Sequence, residues 1–234
     1  DFETFPPRIT QNPWPKGWSS TTTTDPNWES TIGDGATNSS GGTGPFVDHT
    51  LGGAVNGTYV YMETSGGTVG ATAVFVSPAI FIDPTATTFE VSYWYFMYGA
   101  QVDTLHVLLL SNGVYTNLAT YVGQQQTAHT DPWLEGKHAV TGFAGQSVQV
   151  VFRGTNPPCC SGDIGIDDVK MDILPPNSAG VTDVIAPQLP ICPGTFPTSV
   201  AITNSGTDTL TSVTVVYNVN GTLDSALYTG SVLP

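Results

Sequence analysis

The sequence predicts an all-β protein, a jelly-roll β-sandwich followed by a partial immunoglobulin-like β-sandwich. Short runs of β-branched and aromatic residues recur along the chain and are separated by Gly- and Pro-rich turns. With 26 Gly and 18 Pro among 234 residues, the composition suits many turns. No segment longer than two turns shows a helical period, and only 10% of residues are charged, which disfavours a helical bundle.

The first predicted domain spans residues 1–174. A hairpin turn is predicted at Ser111-Asn112-Gly113, because these residues are a hairpin signal between two predicted strands. The predicted strands are Thr58–Glu63, Thr72–Ser77, Thr88–Tyr98, Thr104–Leu110, Val114–Val122, Lys137–Val140, Ser147–Arg153 and Ile164–Ile173.

A proline-led polar segment, residues 175–180, is predicted to be a linker. The β pattern restarts in residues 181–234, which are too few for a complete immunoglobulin-like sandwich of about 100 residues. We therefore expect this unit to be truncated or to be completed by further domains or another chain. Its predicted strands are Thr198–Thr203, Ser212–Val219 and Ser225–Val232.

The net charge and the hydropathy of the chain exclude two classes of partner, nucleic acids and membranes. The chain has 19 acidic and 5 basic side chains, and a net charge of −14 would repel nucleic acid. No apolar run approaches the roughly 18 residues of a membrane span, so we expect no membrane insertion. The low Lys content and the Thr/Gly/Asn-rich turns indicate a secreted, extracellular or cell-surface location. The obvious small partner of so acidic a chain is a cation.

Several motifs of residues 1–174 resemble those of MAM domains, the adhesion modules of meprins, neuropilins and receptor tyrosine phosphatases. The resemblance implies a jelly roll, an extracellular location and an adhesive role without catalysis. The paired cysteines of animal members are absent, and Glu90 stands at the second cysteine position. The matching segments, in family order, are Asp1-Phe2-Glu3, Thr43-Gly44-Pro45 with Asp48-His49-Thr50, Tyr59–Glu63, Ser77-Pro78, Tyr93–Gly99 and Gly162–Val169.

The C-terminal unit resembles, more weakly, the CARDB or Ig-like repeats that follow such modules in large secreted bacterial adhesins and metalloproteases. Residues 202–207 and 216–221 carry this second resemblance.

Four acidic residues form the sharpest candidate site. We expect Glu3 on the first strand, Asp48 in a loop, and Asp167 and Asp168 on the last strand to converge at one edge of the sandwich. The apolar pattern shifts by one residue across Asp167-Asp168, as a β-bulge would shift it. Clustered carboxylates repel each other, and calcium, which takes six to eight oxygen ligands, would remove that repulsion. The alternative is that these acids cap turns by accepting backbone N–H bonds.

Two further groups are weaker candidates. Trp14 and Trp18, in a Pro-rich loop, and Tyr98, on the aromatic strand, are predicted to contact a ligand. Trp133 is expected at the sandwich edge. Cys159, Cys160 and Cys192 are disulfide candidates: a vicinal bridge, a bridge from one of the first two to Cys192, and free thiols all stay open.

The histidines do not predict an enzyme. His49 lies beside Asp48, but no nucleophile motif accompanies it, and the other histidines lack zinc-ligand spacing. The predicted function is a non-catalytic extracellular binding module with structural calcium, part of a larger secreted or surface protein and binding a protein or glycan. The alternative is a carbohydrate-binding module appended to a secreted hydrolase or metalloprotease.

Overall fold

The computed structural model describes residues 1–10, 12–21, 26–33, 42–52, 57–64, 68–157, 161–187, 197–219 and 221–234, without the side chains of Leu174 and Val219. Within these ranges there are fifteen strands, one short 3-10 helix (Pro15–Gly17) and no α-helix. The strands are β1 (Ser19–Ser20), β2 (Asn27–Ile32), β3 (Thr58–Glu63), β4 (Thr72–Val76), β5 (Ile80–Phe81), β6 (Thr88–Tyr98), β7 (Thr104–Ser111), β8 (Val114–Val122), β9 (Leu134–Thr141), β10 (Ser147–Thr155), β11 (Asp163–Leu174), β12 (Ala179–Ala186), β13 (Ser199–Asn204), β14 (Leu210–Val219) and β15 (Thr222–Val232).

Two antiparallel sheets form the jelly-roll sandwich, which confirms the predicted fold class. The six-stranded sheet has the order β1-β4-β10-β7-β8, with β5 also paired to β10, and the five-stranded sheet has the order β2-β3-β11-β6-β9. Aromatic contacts join the inner faces: Trp28 of β2 stacks on Phe75 of β4, and Tyr93 of β6 meets Phe152 of β10 edge-on. The core between the sheets is therefore aromatic.

The predicted hairpin is confirmed. β7 ends at Ser111 and β8 begins at Val114, so Asn112 and Gly113 alone make the turn, with φ of 50° and 76°. A type I′ turn needs φ > 0 at both positions, and this dipeptide provides that.

Four strands are absent from the sequence prediction: the two-residue strands β1 and β5, and the longer strands β2 and β12. β2, with the sequence NWESTI, has four polar residues, yet four of its six residues are buried and the other two are partly buried. β12 begins at Ala179, inside the predicted linker 175–180. Its pairing with β13 shifts register twice, and nearly every residue is exposed, so no alternation of burial marks it as a strand.

The chain divides into two compact units, residues 1–84 with 90–172, and residues 85–89 with 173–234. In the second unit, β12 pairs with β13 and β14 pairs with β15. Among the described hydrophobic residues of 173–234, Leu210 alone is buried, at 9% exposure. These four strands therefore enclose little core.

Candidate metal centre

Three of the four predicted acidic ligands come together. Glu3 lies in a turn before β1, Asp48 in the loop before β3, and Asp167 in β11. One carboxylate oxygen from each lies within 4.8 Å of the others. Asp48 and Asp167 are 1% and 0% exposed, so this carboxylate cluster (Glu3, Asp48 and Asp167) is set into the sandwich.

The surroundings of the cluster differ from the prediction in two ways. Glu3 is in a turn rather than on the first strand, because the chain is held there by a turn bond from Phe5 N–H to Phe2 C=O. Asp167 is not at a sheet edge: β11 is the central strand of the five-stranded sheet, between β3 and β6. The ligands therefore meet above the middle of a sheet.

Backbone N–H groups donate hydrogen bonds to one oxygen of Glu3 and of Asp48 and to both oxygens of Asp167. Glu3 Oε2 accepts from Thr58 N–H at 3.3 Å, and Asp48 Oδ2 accepts from Leu51 N–H at 2.6 Å. Asp167 accepts two such bonds, from Asp168 N–H at 2.7 Å and from His49 N–H at 3.2 Å. These bonds fix the orientation of the three groups.

The opposite oxygens of two carboxylates are buried without a partner. Glu3 Oε1 and Asp48 Oδ1 have no hydrogen-bond donor among the described residues. Burying a charged oxygen without a partner costs several kcal/mol unless the group is protonated or coordinates a metal. The turn-capping alternative accounts for the anchored oxygens, whereas these two oxygens need a proton or a cation.

Two glycines leave the space that Asp48 occupies. A Cβ on Gly57 would lie 2.2 Å from Asp48 Oδ2, and a Cβ on Gly33 would lie 2.1 Å from the backbone N of Asp48. Real Cβ atoms do not approach so closely, so both positions require glycine while Asp48 stays in place. The sequence pattern does not single out these glycines.

Burial and mutual repulsion perturb the cluster. Burial raises the pKa of Asp167 to about 9, helped by the neighbouring Asp48. Burial, and then the charge of Asp48, raises the pKa of Glu3. Without a cation, Asp167 therefore retains its proton at neutral pH.

Asp168, the fourth predicted ligand, lies outside the cluster. Its Oδ2 accepts from His49 Nδ1 at 2.8 Å and from Thr50 Oγ1 at 2.7 Å. Burial alone would raise the pKa of Asp168, but these hydrogen bonds lower it. Asp168 has φ of +46°, an irregularity in β11 at the point where the sequence pattern shifts.

His49 is held on three sides. Its ring stacks on Trp94 at 3.8 Å between centroids and approaches Trp133 edge-on. Its Nδ1 bonds Asp168, so the ring fixes the loop that carries Asp48. The sequence did not predict this contact between His49 and Trp94.

The three aromatic residues that the sequence predicts to contact a ligand differ in how deeply they are buried. Trp14 is 3% exposed and packs against Phe5 and Phe75, so its ring is a core element and cannot stack on a ligand. Trp18 is half-buried, stacks on Phe75 and lines a shallow groove. Tyr98 is half-buried against the aromatic cluster of Tyr59, Tyr61, Phe96 and Trp133.

Trp133 directly precedes β9, an edge strand of the five-stranded sheet, and its side chain is buried. It is 6% exposed, and its Nε1–H donates to the carbonyl of Val47 at 3.0 Å. The disulfide candidates Cys159, Cys160 and Cys192 lie outside the described residues.

The sequence of this chain matches the model of the MAM domain family (meprin/A5/mu) over residues 13–176, and the chain belongs to that family. The human MAM domain-containing glycosylphosphatidylinositol anchor protein 2 is 32% identical over 136 residues, which are 55% of this chain and 14% of that protein. Rat neuropilin-1 is 30% identical over 132 residues, 56% of this chain and 13% of that protein.

This chain thus spans about a seventh of the length of these relatives, the first of which is named as a glycosylphosphatidylinositol anchor protein. Within the described part of this chain, no helix has the length and hydropathy needed to cross a bilayer.

Solved structures with similar folds include two binding domains. The K1 adhesin domain of Lys-gingipain from Porphyromonas gingivalis W83 has a TM-score of 0.44 at 16% identity, covering 73% of this chain and 94% of that domain. The TmCBM61 module in complex with β-1,4-galactotriose has a TM-score of 0.43 at 7% identity, covering 66% of this chain and 86% of that module. At these scores the similarity has no bearing on function.

Proposed function

We propose that this chain is a non-catalytic extracellular binding module whose N-terminal sandwich is ordered by a structural calcium ion. It belongs to a larger secreted or surface protein and binds a protein or glycan on an extracellular surface. The family supports the binding role, since MAM-domain relatives are surface proteins.

One observation carries the metal proposal: Glu3 Oε1 and Asp48 Oδ1 are buried and without a donor among the described residues, beside Asp167. Backbone N–H groups have already oriented the three carboxylates, so little side-chain entropy remains to be lost on binding an ion.

The donor set favours calcium over other cations. All three ligands are carboxylates, the hard oxygen donors that calcium takes in sets of six to eight at flexible geometry. Zinc sites usually include His or Cys, and the nearest imidazole, His49, is bonded to Asp168. Magnesium demands a near-ideal octahedron and retains several waters, which suits a site with three buried or half-buried protein ligands less well.

The ion would connect three distant parts of the chain. Glu3 precedes the first strand, Asp48 lies in a long connection, and Asp167 belongs to the central strand β11. Calcium at this point orders the N-terminal segment and the 42–52 loop against the sheet and thereby shapes the surface around them.

The test is thermal melting in calcium and in chelator. Extracellular modules bind calcium with a Kd of about 10⁻⁴–10⁻³ M, so 1 mM calcium adds about 0.4–1.4 kcal/mol. We expect the Tm to rise by about 1–6 °C, at 2–4 °C per kcal/mol for a domain of this size. A Tm that calcium leaves unchanged removes the ion from the proposal.

A further inference from the structure

The outer face of the six-stranded sheet, which faces away from the sandwich core, is a second candidate binding surface. Partners in the strand register share a face, so the register places its side chains in rows across the strands. One row contains Arg153, His106 and Thr120, and the next contains Val76, Val151, Leu108 and Asn117. A third row contains Gln149, Leu110 and Tyr115, and Phe81 lies opposite Ser147 beyond it.

The middle of this face is closed to solvent, and its ends are exposed. Val151 and Leu108 are 0% and 4% exposed although they point away from the core. Tyr115 and Phe81 are 55% and 59% exposed at one end of the face. At the other end, His106 Nδ1 bonds Thr120 Oγ1 at 3.0 Å, and Thr120 Oγ1 donates to Asn117 at 3.2 Å.

The charge of this sheet is the reverse of that of the whole chain. Strands β1, β4, β5, β7, β8 and β10 contain no Asp or Glu, although the chain has 19 acidic residues. The five-stranded sheet, in contrast, carries eight acidic residues: Glu29, Glu63, Glu90, Glu135, Asp163, Asp167, Asp168 and Asp172. The outer face therefore lacks negative charge in an acidic protein.

Arg153 carries the formal charge of the strands that form this face. It is half-buried, and among the described residues it has neither an ion pair nor a side-chain hydrogen bond. Its guanidinium fork matches the geometry of a carboxylate. Burial and the charge of Arg153 lower the pKa of the neighbouring His106.

We propose that the outer face of the six-stranded sheet binds an oligosaccharide that carries a uronate, with Arg153 holding the carboxylate. This proposal rests on the binding role proposed above and specifies the ligand. A single guanidinium in a chain of charge −14 suits one acidic sugar among neutral ones, because a densely charged polymer would be repelled.

The chemistry of the face favours a saccharide over an acidic peptide. The strands of the sheet already pair their backbone groups with each other, so this face recognises ligands by side chains alone. A peptide that binds by strand addition needs the main-chain partners of a sheet edge, which this face does not offer. Hydroxyl, amide and imidazole groups beside the exposed rings of Tyr115 and Phe81 match the mixed polar and C–H surface of sugar rings.

The dimensions suit an oligosaccharide. Four residues separate the row of Arg153 from the row of Tyr115, about 14 Å along strands that rise about 3.4 Å per residue. A ligand contacting both ends must span several sugar rings. Arg153 then selects the acidic unit, and Tyr115 stacks on a neutral one.

The test is isothermal titration of the full chain with three probes. These are xylotetraose carrying one methylglucuronate, unsubstituted xylotetraose, and a short peptide with one glutamate. We expect the acidic saccharide to bind at least tenfold more tightly than either other probe, and Arg153→Gln to abolish that preference. Arg153→Lys keeps the charge but not the fork and should retain part of it. Lys170→Gln removes an exposed charge on the other sheet and should change nothing.

Each other result overturns the inference. Equal binding of both saccharides, insensitive to Arg153→Gln, would leave a neutral-glycan module, and preference for the peptide would make the face a protein site. No binding of the acidic saccharide at millimolar concentration would remove this docking surface. Calcium-dependent melting of the same samples decides the metal proposal separately, and melting of the variants shows that they fold.

Discussion

Substituting Asp48 by asparagine separates a metal ligand from a turn cap. The amide oxygen can still accept from Leu51 N–H, and the amide N–H₂ can donate to Glu3 Oε1, which is buried without a partner among the described residues. The substitution therefore keeps the cap, removes one negative charge and satisfies an orphaned acceptor. If Asp48 is a calcium ligand, Asp48→Asn weakens the ion site while stabilising the ion-free protein.

The structure sets the size of this effect. Two unit charges 4.8 Å apart repel by about 3 kcal/mol at an effective dielectric constant of about 20. The proton held by Asp167 relieves part of that repulsion at neutral pH, so we expect a gain of at most about 3 kcal/mol. We expect the Tm in chelator to rise by up to about 10 °C, and the calcium-induced rise to vanish.

The assay is differential scanning calorimetry of the wild type and the variant, each in chelator and in 1 mM calcium. Asp172→Asn is the matched control, since it makes the same charge change at an exposed position of β11. Calcium stabilising Asp48→Asn as much as the wild type would refute the reasoning. A Tm in chelator that falls well below that of the control would show that Asp48 acts as a cap.

Three further predictions concern the centre and the core. Gly57→Ala places a Cβ against Asp48, at an overpacking cost of about 1–3 kcal/mol. This variant should lower the Tm by about 2–12 °C and abolish the calcium response. The control Gly180→Ala, whose Cβ lies in open space, should do neither. Because the pKa of Asp167 is raised, the folded state in chelator binds more protons than the unfolded state between pH 4 and about 9. The Tm in chelator should therefore fall as the pH rises over this range. The increase in Tm that calcium causes should be larger at pH 8 than at pH 5, because calcium displaces the proton more easily at pH 8. An unchanged calcium increment across that range would contradict this linkage. Trp14→Ala should cost about 3–5 kcal/mol in urea unfolding, as for a core residue, and a cost below 1 kcal/mol would restore Trp14 as a surface candidate.

The sequence predicted most of the sandwich because its core strands repeat clear patterns. The aromatic strand β6 and the hairpin strand β8 have the predicted bounds, since alternation and Asn112-Gly113 punctuation are local signals. Strands β2 and β12 lack such signals. β2 is buried through long-range pairing with β3, and β12 exposes both faces.

The candidate site was predictable in its residues but not in its geometry. Asp167 interrupts an apolar run, and that local anomaly marked it as a buried charge in need of a partner. Which of two adjacent carboxylates turns inward depends on the backbone at Asp168, with its φ of +46°, and on the hydrogen bond from His49. The prediction for Trp14 was wrong because a Pro-rich loop suggested exposure, whereas its ring packs onto Phe75.

The most direct measurement is the anomalous scattering of crystals grown in calcium. We predict one strong peak 2.3–2.6 Å from an oxygen of each of Glu3, Asp48 and Asp167, with further oxygen ligands completing a set of six to eight. Crystals in which the three carboxylates hold only water or a side-chain amine, at saturating calcium, would contradict the proposed metal centre.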